Sequence, residues 1–444
     1  MNIVYIAYKS LRQRAVASSL TAFSVALGIM LMVTVLVING IVTDTFKQRG
    51  TGYSLIIGSK GSDLAMVMAC VYRIEVPEEP LPYRVYRDDI LKNPRVEWAI
   101  PITMGDYTEK GAFPILGTTP RYFAMEYEPD KKYRVRGSIP TKPFEAVIGS
   151  RVARTNGWDL GSELKLTHGG AVDHVHDERF KVVGVLESTG TPDDKTVFVN
   201  IEGFFLISGH EKPPEEAIGR LKEFGFTVTA EEEAAIYKAA AEMSHEGEEP
   251  GTVHDHLHAV PDDLKEISFI LVRTKSIAQS IGMRAKINEG VRAKAVNPIF
   301  PMNRFLNEFV GNIRTVLIIL TAMITIVAGI GIFVSIYNSM SDRKREIGIM
   351  RALGARRSTV FSIIIGESLL LCIGGGLIGL LMGHGAIFIA APIIENKAGI
   401  LVNPWNFETL EFVIFPVLMI MGILAGILPA FSAYRTDVAE SLSD

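Results

Sequence analysis

The chain has 444 residues, 48% of them apolar, with a mean hydropathy of +0.25 and a formal net charge of −4. That balance offers no basic surplus for a nucleic-acid partner, and two cysteines as far apart as Cys70 and Cys372 exclude a disulfide framework. The mean conceals the organisation, because the apolar residues fall into four blocks.

Met1–Arg14 places Ile3, Ile6, Ala7 and Leu11 on one helical face and Lys9, Arg12 and Arg14 elsewhere. This pattern reads either as an interfacial helix over residues 1–14 or as a disordered basic start. Ala15–Thr43 carries no charge and exceeds the ~20 residues that a helix needs to cross the hydrocarbon core. It is also longer than the roughly 7–15 apolar residues of a signal peptide, and no small-residue cleavage site follows it. Residues 15–43 are therefore expected to be an uncleaved first span.

Residues 44–314, roughly 270 in all, are enough for one or two cores of their own. Ile41–Arg49 continues helically from the first span. Gly50–Ile74 then mixes a strand-like run, Tyr53–Ile57, with a glycine-punctuated turn at Gly58–Gly61. The turn lacks the G-x-x-x-x-G-K-[ST] spacing of a phosphate-binding loop, and no other segment has it. The chain is accordingly not expected to be an enzyme; any ATP and magnesium would belong to a partner subunit. From Trp98 to Ile201, short β-rich runs predict strands at Phe113–Gly117, Glu145–Ile148, Phe180–Glu187 and Thr196–Ile201, with a helical turn at Ser150–Gly157. Pro114 confines the first to an edge or a strand start. Asp173–Glu266 is acidic, with 22 Asp/Glu against 8 Lys/Arg, and contains helices expected at Glu215–Phe224 and Ala230–Ser244 and a loop at Glu246–Val260. Glu266–Thr274 returns to strand, Lys275–Gly290 is helical, and Arg292–Asn303 leads back to the membrane. A membrane-proximal part, about 45–110 plus 262–305, would then carry a distal insert, about 111–261.

Three further blocks follow. Thr315–Ser341 and Phe412–Tyr434 are uncharged, and Val360–Ile394 carries only Glu367 and His384. They predict spans at 315–341, 358–394 and 412–434, separated by a loop at 342–357 and an external loop at 395–411, with a tail at 435–444. Lys9, Arg12 and Arg14 before the first span and six basic residues after the second place both termini and the 342–357 loop in the cytoplasm. The expected fold is a membrane protein of four transmembrane α-helices, with a large α+β extracytoplasmic domain inserted between helices 1 and 2.

Four groups of residues stand out. Ser341–Ala355, SDRKREIGIMRALGA, sets Arg343, Lys344, Arg345 and Arg351 above Ile347, Ile349, Met350 and Leu353 at helical spacing. It reads as a short basic amphipathic helix between two spans: a docking surface, or simply a basic cytoplasmic loop. Gly375, Gly379 and Gly383, and again Gly422 and Gly426, recur four apart, which lets membrane helices approach closely. Glu367 is an intramembrane carboxylate, read as a structural hydrogen-bonding group rather than a proton relay. Eight of the nine histidines lie in the external domain, and D-H-V-H-D (Asp173–Asp177) and H-D-H-L-H (His254–His258) alternate. His174, His176, His254, His256 and His258 are thus candidate ligands for zinc, nickel or copper, or members of solvated acidic loops.

Taken together, RKREIGIMRALGA after the second span, ILPAFSAYRTDVAESLSD (Ile427–Asp444) at the end and GESLLLCIGGGLIGLLMG (Gly366–Gly383) resemble the FtsX/MacB-like permeases of ABC transporters, the mechanotransmitting class. The likeness covers essentially the whole chain, including ILGTTPRYF, EAVIGSRVARTNGWDLGSELKL and FKVVGVLESTGTPDD in the external domain. It implies a bacterial inner-membrane protein, in which two permease copies, identical or related, bind separate ABC ATPase subunits. Residue by residue, it implies that Arg343, Lys344, Arg345, Glu346, Met350, Arg351 and Leu353 contact the ATPase. ATP-driven motion would reach the external domain for export or release of an envelope substrate, whether lipoprotein, peptide or metal-linked, with or without a periplasmic partner. Rival readings are an envelope regulator that activates a partner such as a hydrolase, and a transmembrane sensor, although the sensor would need a larger cytoplasmic output domain.

Overall fold

The computed structural model describes residues 3–46, 52–74, 79–168, 175–207, 209–210, 212–243, 260–398, 402–405 and 407–435. The chain divides into two compact units, Met1–Phe46 with Leu306–Asp444, and Lys47–Phe305. Helices α1 (Ile3–Gln13) and α2 (Ala15–Phe46) open the first unit. The second unit begins β1 (Leu55–Gly58), α3 (Asp63–Tyr72), β2 (Leu81–Pro82), β3 (Val96–Thr108) and β4 (Pro114–Thr118). It continues β5 (Glu126–Glu128), β6 (Lys131–Lys132), β7 (Val135–Gly137), β8 (Glu145–Ile148), α4 (Ser150–Asn156), β9 (Glu163–His168), β10 (Val175–Leu186) and β11 (Val197–Asn200). Then come α5 (Ile201–Phe205), α6 (Pro214–Glu223), α7 (Ala230–Met243), β12 (Glu266–Ile267), β13 (Phe269–Thr274), α8 (Ile277–Glu289), β14 (Lys294–Val296) and α9 (Ile299–Arg304). The first unit resumes with α10 (Gly311–Ala352), α11 (Arg357–Ala398) and α12 (Ile414–Arg435).

Among the described residues, one ten-stranded sheet dominates the second unit. Its order is β14-β1-β13-β3-β4-β11-β8-β10-β7, with β9 pairing both β10 and β3. Strands β1 (LIIG) and β11 (VFVN) are buried along their whole length, as continuous apolar runs covered on both faces must be. The 13-residue β3 joins the expected proximal and distal parts. Its first half pairs with β13 from Val96 to Ile102, and its second half with β4 and β9. The division near residue 110 therefore does not separate two cores: Leu55, Ile57 and Val272 share one apolar cluster with Ile115, Ile148 and Phe180. Pro114 opens β4, where its missing N–H costs the ladder least.

A buried polar group fixes α3 to this body. Arg73, in the left-handed region at φ 59, lies with its Nη2 3.2 Å from Asp193 Oδ1, and the Tyr122 and Tyr133 hydroxyls donate to the same carboxylate. Cys70 is buried nearby, and burial pushes its thiol up to about 12, so it is a packing residue rather than a nucleophile.

In the first unit, α2, α10, α11 and α12 are, among the described residues, long and apolar enough to cross a membrane. Helix α11 packs on α2 and α12, and α10 on the same two. The glycines make the α2–α11 contact intimate. A Cβ at Gly375 would lie 2.7 Å from the Ala22 carbonyl oxygen, one at Gly379 2.5 Å from that of Ala26, and one at Gly383 2.8 Å from Val33. Gly422 and Gly426 of α12 likewise meet Leu369, Cys372 and Ser368 of α11. Helix α1 lays Ala7 and Ser10 inward, with Ala7 against Gly366 of α11, and leaves Val4, Tyr5 and Tyr8 exposed. Pro429 does not end α12, which continues to Arg435.

The expected short helix after the second span is not a separate element. Helix α10 runs unbroken through Ser341 to Ala352 and stops at Gly354, whose φ of 98 the following turn requires. Proline is absent from Gly311–Ala352, so the abrupt onset of charge at Asp342 changes the solvent of the helix and not its backbone.

A Gly379→Ala substitution places a methyl group against the Ala26 carbonyl and should destabilise the four-helix unit by about 1–3 kcal/mol. At Gly385 a Cβ would meet nothing within 4 Å. Thermal unfolding in detergent should therefore show a lowered midpoint for Gly379→Ala and an unchanged or raised one for Gly385→Ala.

Candidate functional site

Four side chains converge where β3 leaves β13. Met104 pairs with Leu116, and the next pair is Tyr107 with Pro114, so β3 holds one residue more than β4 across this interval. Gly105, at φ 145, takes up the irregularity, and the bulge turns Asp106 inward to 3% exposure. Asp106 stands opposite His168 in the β3–β9 pairing, with His168 Nδ1 2.7 Å from Asp106 Oδ1. His176, the second residue of β10, brings its Nε2 to 3.1 Å from His168 Nε2. His210 follows α5, its ring packed on Phe204 at 4.4 Å between centroids. Its Nδ1 lies 2.9 Å from the Phe204 carbonyl oxygen, and its Nε2 is 3.2 Å from Asp106 Oδ2.

One ligand atom from each of Asp106, His168, His176 and His210 lies within 4.8 Å of every other. The side chains of Asp106 and His210 are 2% and 6% exposed and that of His168 is 50% exposed, so the cluster has a buried floor and an open rim. Burial first, then the neighbouring His210 ring, lowers the His176 pKa below the usual imidazole value and favours the neutral ring. His176 is one of the sequence-named metal candidates; His174, His254, His256 and His258 lie outside the described residues. Asp106 and His210 gave no motif. The nearest signal was a glycine before an acid inside a β-rich run, which marks a bulge.

At the far end of α10, Arg343 and Lys344 lie on the helix, Arg345 and Glu346 are exposed, and Met350 and Arg351 are half-buried. Ile347 is buried at 2%, whereas Leu353 is 83% exposed. The segment thus keeps one apolar anchor on its own unit and offers Ile349 and Leu353 beside its charges.

Glu367 is buried in α11 at 4% exposure. His384, which lies in the same span, makes a second polar group further along the helix. His384 Nδ1 lies 2.8 Å from the Pro404 carbonyl oxygen and Nε2 2.9 Å from Glu411 Oε2, while Glu411 Oε1 accepts the Glu408 N–H at 2.9 Å. Both ring nitrogens thus face oxygen atoms of the segment between α11 and α12. These contacts tie α11 to the capping box that precedes α12.

Family models match the chain in two places: the MacB-like periplasmic core domain over residues 18–246, and the FtsX-like permease C-terminal over residues 318–438. An uncharacterized ABC transporter permease of Methanocaldococcus jannaschii is 23% identical over 279 residues, 62% of this chain and 57% of that protein. The macrolide export ATP-binding/permease protein MacB of Brucella melitensis biotype 1 is 23% identical over 462 residues, 99% of this chain and 60% of that protein. The chain therefore spans less than two thirds of the length of either relative. The periplasmic region of MacB from Actinobacillus actinomycetemcomitans matches at 10% identity and a TM-score of 0.30, over 58% of this chain and 95% of that one.

The contacts of His384 and Glu411 make a sharp distinction between substitutions. Glu411→Gln keeps an oxygen for the Glu408 N–H and gives Nε2 of a neutral imidazole an amide donor, so it should leave the thermal midpoint within ~1 kcal/mol of the parent. Glu411→Leu strands both partners and should cost about 2–4 kcal/mol. Thermal unfolding of the two detergent-purified variants side by side checks this.

Proposed function

Because the chain belongs to the FtsX/MacB-like family of ABC transporter permeases, we propose that it is the permease subunit of a transporter whose ATPase is a separate polypeptide. The observation that carries this reading is the continuity of α10. Its 42 residues, at ~1.5 Å each, make a rod of about 63 Å, roughly twice the thickness of the hydrocarbon core. A rod that long carries Arg343, Lys344, Arg345, Glu346, Met350 and Arg351 on the same backbone as the membrane span, with Leu353 at its end. Force applied at the charged end has no flexible joint to dissipate it, and Ile347 holds that end to the other helices.

In this reading both termini and the α10–α11 turn lie in the cytoplasm of a bacterial cell, the membrane is the inner one, and residues 44–314 lie outside it. The chain acts as a lever that delivers the closure of two ATP-bound partner subunits to the external unit. A second permease copy, identical or related, completes the assembly. The external work is export or release of an envelope substrate, a lipoprotein, a peptide or a metal-linked cargo. ATP and magnesium are, in this reading, bound by the partner.

The charge-swapped double variant Glu346→Lys with Arg351→Glu tests the assignment. Reconstituted with the partner ATPase, it should lose at least about tenfold of the permease-stimulated ATP hydrolysis, the effect of losing about 1.4 kcal/mol or more of coupling. Its expression and membrane insertion should match the parent. Parental stimulation from the swapped variant would remove this segment from the coupling path.

A further inference from the structure

We propose that Asp106, His168, His176 and His210 form a binding site for a divalent transition-metal ion, zinc by the chemistry of its ligands. His210 Nδ1 meets the Phe204 carbonyl oxygen as N–H, which directs Nε2 at Asp106 Oδ2, 3.2 Å away. Both of those atoms are buried, and neither completes a hydrogen bond. A cation between them would take both as ligands.

The rim repeats the pattern. His168 Nδ1 faces Asp106 Oδ1 at 2.7 Å, and its Nε2 is directed at His176 Nε2 3.1 Å away. Zinc bonds of ~2.0–2.1 Å in a tetrahedron space the ligand atoms by about 3.4 Å. The two close separations are 3.1 and 3.2 Å, and all four ligand atoms fall within 4.8 Å of one another. The supports that metal-binding histidines use are also in place. The other oxygen of Asp106 faces the outer nitrogen of His168, and the Phe204 carbonyl that of His210. Three imidazoles and one carboxylate suit zinc, and after it copper(II) or nickel(II), far better than the oxygen-seeking calcium or magnesium.

The position says what the ion does. Its ligands come from β3, the end of β9, the start of β10 and the chain after α5, so one ion ties four parts of the external unit together. The half-exposed His168 lets it exchange with solvent. Metal occupancy thereby stiffens this face of the sheet.

The test uses the full-length chain in detergent, stripped with a chelator and titrated with zinc chloride by calorimetry. The parent should bind one zinc per chain with a Kd below about 1 µM and gain thermal stability on loading. Losing an outer-shell partner already costs about 10–100-fold in metal affinity, so His168→Ala and His176→Ala, at the rim where folding tolerates them, should each weaken zinc by about 100-fold or more. Both variants should still unfold cooperatively without zinc, and zinc should no longer raise their midpoints. A variant with His254, His256 and His258 all changed to Ala should bind like the parent. The proposal is overturned if the parent binds no zinc below that limit, if the rim variants bind as the parent does, or if only the triple variant loses binding.

Discussion

Gly375, Gly379 and Gly383 repeat every fourth residue down one face of α11, and there α2 rests on bare backbone. At Gly379 the room left is less than a methyl group needs, with the Ala26 carbonyl 2.5 Å from where a Cβ would sit. Between membrane helices the hydrophobic effect supplies little attraction, so close packing of this kind must supply it. The rest of the unit follows from that contact. With α11 pressed to α2, its other faces are left for α12, through Gly422 and Gly426, and for α1, through Ala7. Helix α10 then fills the remaining place against α2 and α12 and ends in a turn set by Gly354.

The membrane part was legible because the hydrocarbon imposes its thickness on each span and forbids unpaired backbone within it. Four uncharged or nearly uncharged blocks gave four long helices. What the sequence misled about was the joint after the second span. Charge begins at Asp342, but charge does not break a helix; only Gly354, thirteen residues after Ser341, meets the steric condition for stopping. In the external unit, strands at Glu145–Ile148 and Val197–Asn200 and the helix at Ser150–Asn156 emerge nearly as composition predicts. Their sharing of one sheet does not, because the sharing depends on β3 being long enough to serve both ends.

The histidine cluster shows where pattern reading stops. Alternating histidines pointed to metal chemistry, and His176 belongs to such a run. Its neighbours in space come from residues 106, 168 and 210, brought together by a bulge, a strand pairing and the chain after α5. Spacing cannot register a bulge that rotates one acid inward, nor a lone histidine after a five-residue helix. The signal is of another kind: a buried imidazole nitrogen and a carboxylate oxygen that face each other without completing a hydrogen bond, visible only once the atoms are placed.

The central claim is that this chain works through a separate ATPase. It is tested most directly by purifying the chain from its native membrane, identifying what accompanies it, and measuring ATP hydrolysis with and without the chain in lipid. The account predicts an accompanying ABC ATPase whose hydrolysis the permease stimulates. A preparation with no ATPase and no stimulation on reconstitution would contradict it.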